Sequence, residues 1–220
     1  MLGLPNYALT AIKYVIAHEP GNKENCGPDA LEREITYMNR NKAKAFTSHW
    51  VGGGGKIVQI APVGKLQYGC GPKGNPFSYA QVELARTNNK EQFKKDYAAY
   101  IWLLRELAKD AGIPVLLDGA GNGIKSHRWI TDNLKGTTHR DPYSYLASMG
   151  ITEEQFEIDI KNGLEEVKEA QEAKVMINDA KTIPAVIIDG RTHVQVRDLA
   201  ELLGLKLVYN NESKTTKFTK

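Results

Sequence analysis

The chain has 220 residues, 41% of them hydrophobic and 25% charged. That balance fills a core and solvates a surface, and the length suits one substantial domain with a small one beside it. A net charge of +3 is too small to argue for nucleic acid, and no stretch approaches the length of a membrane span.

The first segment, Ala11 to Ala17, is mostly apolar and β-branched, and reads as a buried strand ending at His18. His18 to Asp29, rich in Gly, Pro and Asn, is a loop. Ala30 to Arg40 carries Leu31, Ile35 and Met38 among charges, the spacing of an amphipathic helix. Ser48–Val51 and Lys56–Ile60 flank a run of glycines from Gly52 to Gly55, which predicts a hairpin. Tyr79 to Ala85 alternates, with Tyr79, Gln81, Glu83 and Ala85 on one face and Ala80, Val82 and Leu84 on the other. Lys90 to Ala111 is the clearest helix, its stripe running through Phe93, Tyr97, Ile101, Leu104 and Leu107 until Gly112 and Pro114 stop it.

Thr152 to Ala173 reads as a charged helix whose later part, 163–174, connects two domains. The last part has its own pattern: strand-like Ala185–Ile188, an Asp189–Gly190 turn, Thr192–Val194, a short helix over Asp198–Leu203, and two strands around Asn210–Asn211. Strands, helices and a hairpin alternate throughout. The fold class expected is α/β, a mixed central sheet flanked by helices over residues 1–162, followed by the linker and a small α+β domain over 175–220.

Two cysteines, Cys26 and Cys70, form no CxxC pair, which argues against a cysteine-built structural zinc site. Two free, partly buried thiols are the first expectation and a disulfide the second. The N-terminus lacks the basic start and apolar run of a signal peptide.

The five histidines are unevenly placed. His18 closes a strand, His127 follows a glycine-rich loop in Ser126-His-Arg-Trp129, and His139 and Asp141 fall together in Thr138-His-Arg-Asp-Pro142. Strand ends and the loops after them are where sites collect, because a rigid scaffold fixes them while they stay accessible. Alone, a histidine at a strand end is more often a hydrogen-bonded structural residue than a ligand, and Asp before Pro is usually a turn. No HExxH is present, which excludes the common helix-borne zinc protease.

In combination these segments resemble the type 2 N-acetylmuramoyl-L-alanine amidases, which share a fold with peptidoglycan recognition proteins and many phage endolysins. The resemblance runs from about Tyr14 to Gly163. It is carried by His18-Glu-Pro-Gly-Asn22, Ser48-His-Trp50, Lys56-Ile-Val-Gln-Ile-Ala-Pro62, Ala80-Gln-Val-Glu-Leu84, Ser126-His-Arg-Trp129 and Thr138-His-Arg-Asp-Pro142. It implies a catalytic Zn2+ held by His18, His127 and Asp141, with a fourth position left for water. It also implies Glu83 as the general base and proton shuttle.

His139, two residues before Asp141, would either stabilise the oxyanion or replace Asp141 on the metal. His49 would support the structure first and contact substrate second, and His193 lies apart from the metal. Many relatives carry Ala-Trp-His-Ala-Gly where this chain reads Gln67-Tyr-Gly-Cys-Gly71, so one substrate-side histidine is missing and Tyr68 with its glycines would form the wall.

The tail, Ile188 to Gly204 with Val208-Tyr-Asn-Asn211 behind it, resembles the small domain named after the N-terminal domain of copper amine oxidases. That resemblance implies wall attachment or self-association and no copper. The partner implied for the whole is bacterial peptidoglycan, with no nucleic acid and no membrane insertion. The expected place of action is the cell wall, reached by secretion or by release from a host cytoplasm without a signal peptide, as for a phage endolysin. The alternative is a noncatalytic module that binds peptidoglycan without cutting it.

Overall fold

The computed structural model describes residues 3–164, 171–177, 181–188, 191–210, 213 and 215–219. The chain divides into two units, Met1–Leu164 and Glu165–Lys220.

The first unit is built on a five-stranded sheet of β1 (Tyr14–His18), β2 (His49–Gly52), β3 (Lys56–Gln59), β4 (Ser78–Leu84) and β5 (Gly123–Ser126), in the order β3-β2-β4-β1-β5. β2, β4, β1 and β5 run parallel, and β3 closes one edge antiparallel. Parallel central strands are buried on both faces, which is why β1 is buried at every position and reads as an apolar run.

Helix α1 (Ala30–Asn41) packs by Leu31 near β2, and α2 (Lys90–Asp110) crosses one sheet face. Asn89 caps α2, its side chain accepting from the backbone N–H groups of Glu91 and Gln92. Alternation along β1 and β4 sends Val15, Ala17, Ala80, Val82 and Leu84 into the core with Phe93, Tyr97, Tyr100, Ile101 and Leu104 of α2. The opposite face carries Tyr14 and Ile16, packed with Ile130 of α3 (His127–Leu134). His18, Gln81 and Glu83 share that second face. The β2–β3 turn is fixed from α2, where buried Asp96 accepts the Gly54 and Gly55 N–H groups at 2.7 and 2.6 Å.

Helices α4 (Tyr143–Ser148) and α5 (Glu153–Asn162) complete this unit. Their Tyr145, Leu146, Phe156 and Ile160 join the α2 core. The Asp141–Pro142 peptide at the start of α4 is cis.

The second unit holds an antiparallel three-stranded sheet, β6 (Gln171–Ile177), β7 (Lys181–Ile188) and β8 (Arg191–Val194). Helix α6 (Val196–Leu202) follows, then the hairpin strands β9 (Lys206–Asn210) and β10 (Thr215–Thr219). Here the expectation of a helix through Lys174 is corrected. α5 ends at Asn162 with Gly163 as its C-cap, and Gln171–Lys174 pair with Pro184–Ile187 as strand. The Glu/Lys/Ala-rich composition favours helix locally, but pairing with the β-branched β7 outweighs that weak preference. Residues 165–170, like the expected Asp189–Gly190 and Asn211 turn positions, lie outside the described residues. No helix among the described residues is long and apolar enough to cross a membrane.

Candidate metal centre

Three sequence-distant side chains meet at the C-terminal ends of the parallel strands, where open α/β sheets place their ligands. His18 is the last residue of β1, and His127 follows β5 directly as the first residue of α3. Asp141 arrives on the loop between α3 and α4. Ser126 caps α3, its hydroxyl accepting from the Trp129 N–H, which sets His127 at the strand-to-helix corner. The backbone N–H of Arg128 donates to the Asp141 carbonyl at 3.1 Å and ties the loop to that corner.

The Asp141 carboxylate reaches both imidazoles. Its Oδ2 lies 3.1 Å from His18 Nδ1 and its Oδ1 3.1 Å from His127 Nδ1. The ligand atoms of the three residues all lie within 4.8 Å of one another, close enough for one ion to touch all three. Two imidazole nitrogens and a carboxylate oxygen are the donor types of a zinc site that leaves a fourth tetrahedral position open, so the chemistry of the donor set fits that ion. The other ring nitrogens are occupied, His18 Nε2 by Gln81 Oε1 at 3.0 Å and His127 Nε2 by Thr137 Oγ1 at 3.0 Å. Both Nδ1 atoms are therefore the ones left to face the carboxylate.

The electrostatics match a site built for positive charge. Burial alone would raise Asp141, yet the hydrogen bonds from His127 and His18 hold it well below the usual carboxylate range. Burial opposes charge on His18, but Asp141 and the negative charge of Glu83 raise it. Burial dominates at His127 and lowers it.

Glu83 is the β4 register partner of His18. It is 8% exposed, and its Oε2 is buried without a hydrogen-bond partner. Burial pushes its carboxyl up to about 8, with His18 opposing and Asp141 adding to the shift. A buried, unsatisfied carboxyl is costly in a fold and marks a place where a group is held for chemistry.

His139 stands apart from the three. It is 67% exposed, its Nδ1 is 3.9 Å from Asp141 Oδ1, and its ring stacks on His127 at 4.9 Å. The cluster within ligand distance is His18, His127 and Asp141, without His139. His139 lines instead a groove of about 880 Å³ together with His127, Thr137, Tyr68, Gly69 and Gly71. Tyr68 and its glycines thus form a wall where the expected histidine is missing.

His49 is outside the cluster. It is buried in β2 with Nδ1 3.0 Å from the Ser48 hydroxyl, and burial lowers it to about 4. His193 belongs to the second unit. Cys26 and Cys70 are both free thiols, the first half-buried and the second buried, so no disulfide joins them.

Sequence reasoning did not find the supporting residues. Glu19 donates its backbone N–H to Asp141 Oδ2 at 3.3 Å, and its carboxylate pairs with Arg86 at 2.6 Å behind the cluster. Asn75 and Thr137 were likewise silent, because isolated polar residues carry no spacing signal, whereas alternation on β4 places Gln81 beside Glu83.

A family model described as N-acetylmuramoyl-L-alanine amidase (Amidase_2) matches residues 8–144, which include all three clustered residues and Glu83. The chain belongs to the N-acetylmuramoyl-L-alanine amidase family.

Within that family, the chain is 49% identical over 162 residues to the endolysin of Listeria phage A511, covering 72% of this chain and 46% of that protein. It is 41% identical over 167 residues to the lytic amidase of Streptococcus pneumoniae phage HB-3, covering 74% and 51% respectively. The chain thus spans about half the length of these relatives. The crystal structure of the Staphylococcus aureus hydrolase AmiA in complex with its ligand shares the fold. Its TM-score is 0.66 at 24% identity, over 73% of this chain and 78% of that one.

Proposed function

We propose that the chain is a zinc-dependent endolysin-type amidase that hydrolyses the amide joining the lactyl group of N-acetylmuramic acid to L-alanine in bacterial peptidoglycan. The observation that carries this reading is the convergence of His18, His127 and Asp141 with Glu83 held beside His18. His18 Nδ1, His127 Nδ1 and an Asp141 oxygen would hold the ion. When bound, zinc supplies Lewis acidity, lowering the pKa of water and polarising the amide carbonyl.

The chain's own residues do the rest. The groove beside His127 and His139 orients the polymer, with Tyr68 as its aromatic wall and Lys44 as a cation at its rim. Glu83 takes the proton of the attacking water and passes it to the leaving nitrogen of L-alanine. Burial favours the protonated form of its carboxyl and lifts it to about 8 with His18 opposing the shift, close to the range in which one group both takes and gives a proton. His139, exposed at the groove, reaches toward the carbonyl oxygen as a hydrogen-bond donor when negative charge develops there. In this reading residues 1–162 carry the chemistry and the cell wall is the place of action.

The test is product analysis on purified cell walls. New L-alanine amino groups without new reducing sugars support the reading. New reducing ends, cuts within the stem peptide, or binding without any cut would reject it.

A further inference from the structure

The outer nitrogens of the two clustered imidazoles are held in different ways. His127 Nε2 faces the Thr137 hydroxyl, whose oxygen also accepts the His139 backbone N–H at 3.3 Å. A hydroxyl rotates and can take either role. His18 Nε2 faces the side-chain amide of Gln81, which is fully buried and has no such freedom.

The orientation of that amide follows from its other end. The backbone N–H groups of Cys70 and Gly69 point at one Asn75 side-chain atom, at 2.9 and 3.2 Å. A backbone N–H only donates, so that atom is the oxygen. The same oxygen faces the Gln81 amide at 3.3 Å, so the Gln81 atom there is its NH2 nitrogen. The Gln81 oxygen is then the atom 3.0 Å from His18 Nε2, and that nitrogen must carry the hydrogen.

The Gln81 backbone is also held: Ser48 Oγ accepts the Gln81 backbone N–H and donates to the Gln81 backbone carbonyl, both at 3.0 Å. A Cβ on residue 69 would lie 2.2 Å from Gln81 Oε1 and 2.9 Å from Thr47 Cγ2, so Gly69 leaves the space that the amide fills.

We propose that Asn75 and Gln81 form a relay, anchored on the backbone N–H groups of Gly69 and Cys70, that holds a hydrogen on His18 Nε2 and leaves Nδ1 as the nitrogen presented to Asp141 and to a metal. Both are positioning residues that act through His18. The consequence for zinc rests on the function proposed above, while the Nε2 proton itself does not. Outer partners of metal-bound histidines typically carry about 10–100-fold in metal affinity.

The experiment uses the full chain labelled with 15N-histidine, with imidazole NMR as one readout and zinc affinity by competition with a chelating dye as the other. In the wild type, His18 should carry a slowly exchanging proton on Nε2, with or without zinc. Gln81→Met keeps the volume and removes the acceptor. It should weaken zinc binding about 10–100-fold, speed exchange of that proton and leave the circular dichroism unchanged. Gln81→Ala gives the same comparison if Met overfills the site. Asn75→Asp retains the acceptor for both backbone N–H groups and should keep the Nε2 proton.

A wild-type His18 that lacks a proton on Nε2, or zinc affinity within twofold of wild type in both Gln81 variants, would overturn the relay. A wild type with the Nε2 proton and no zinc binding would uphold the relay and reject the zinc reading alone.

Discussion

Glu83→Gln separates chemistry from stability in a single substitution. Glu83 is 8% exposed with one orphaned carboxylate oxygen, and burial moves its carboxyl from 4.5 to about 8 in the folded chain. Between those values the folded state binds more protons than the unfolded state. Stability is therefore fully present below pH 4.5, falls as pH rises through the window, and flattens above pH 8. A shift of that size corresponds to about 5 kcal/mol. Glutamine resembles the protonated acid at every pH and escapes the loss.

In chelator-treated protein, Glu83→Gln should melt close to wild type at pH 4.5 and roughly 10 °C above it at pH 8.5. Thermal or urea unfolding at both pH values, with chelator present, reads the difference. The same substitution should cut wall hydrolysis by about 10²–10⁴-fold, the usual worth of a positioned proton shuttle. A stability gap that does not change with pH, or a wild type more stable than the variant at pH 8.5, would refute the reasoning.

Asp141→Ala should abolish stoichiometric zinc binding, while His139→Ala should keep zinc and lose about 10–10³-fold in rate; metal analysis and turnover of the same samples check the pair. Iodoacetamide at pH 8 should label half-buried Cys26 in the folded protein and Cys70 only after unfolding, because burial pushes the Cys70 thiol up to about 12; peptide mapping reads the order. Asn89→Ala removes the side chain that caps α2 and should cost about 0.5–2 kcal/mol in urea unfolding without changing zinc affinity.

Much of the first unit was legible because its segments obey strong local rules. β1 is an apolar run, the glycine hairpin joins two short strands, and α2 has a clear stripe and a stop at Gly112 and Pro114. The cluster was legible only through the order of several short motifs, since His18, His127 and Asp141 are individually ambiguous.

β5 was missed for a physical reason. Its four residues include Gly123, Lys125 and Ser126, which read as loop. Lys125 is nonetheless buried, with its ammonium over the Trp129 ring and donating to the Gly119 carbonyl. The strand exists because β1 needs a parallel partner, and single-sequence patterns do not carry that tertiary demand. β6 shows the converse error, a helical composition overruled by pairing with β7. The relay through Gln81 and Asn75 was invisible because its logic runs through backbone N–H groups that no side-chain pattern reveals.

The central claim is that one zinc sits between His18, His127 and Asp141. Anomalous diffraction at the zinc edge from crystals of the metal-loaded chain tests it most directly. The account predicts one strong peak bonded to His18 Nδ1, His127 Nδ1 and an Asp141 carboxylate oxygen. A peak bonded to His139 in place of Asp141, or no peak at this cluster, would contradict it.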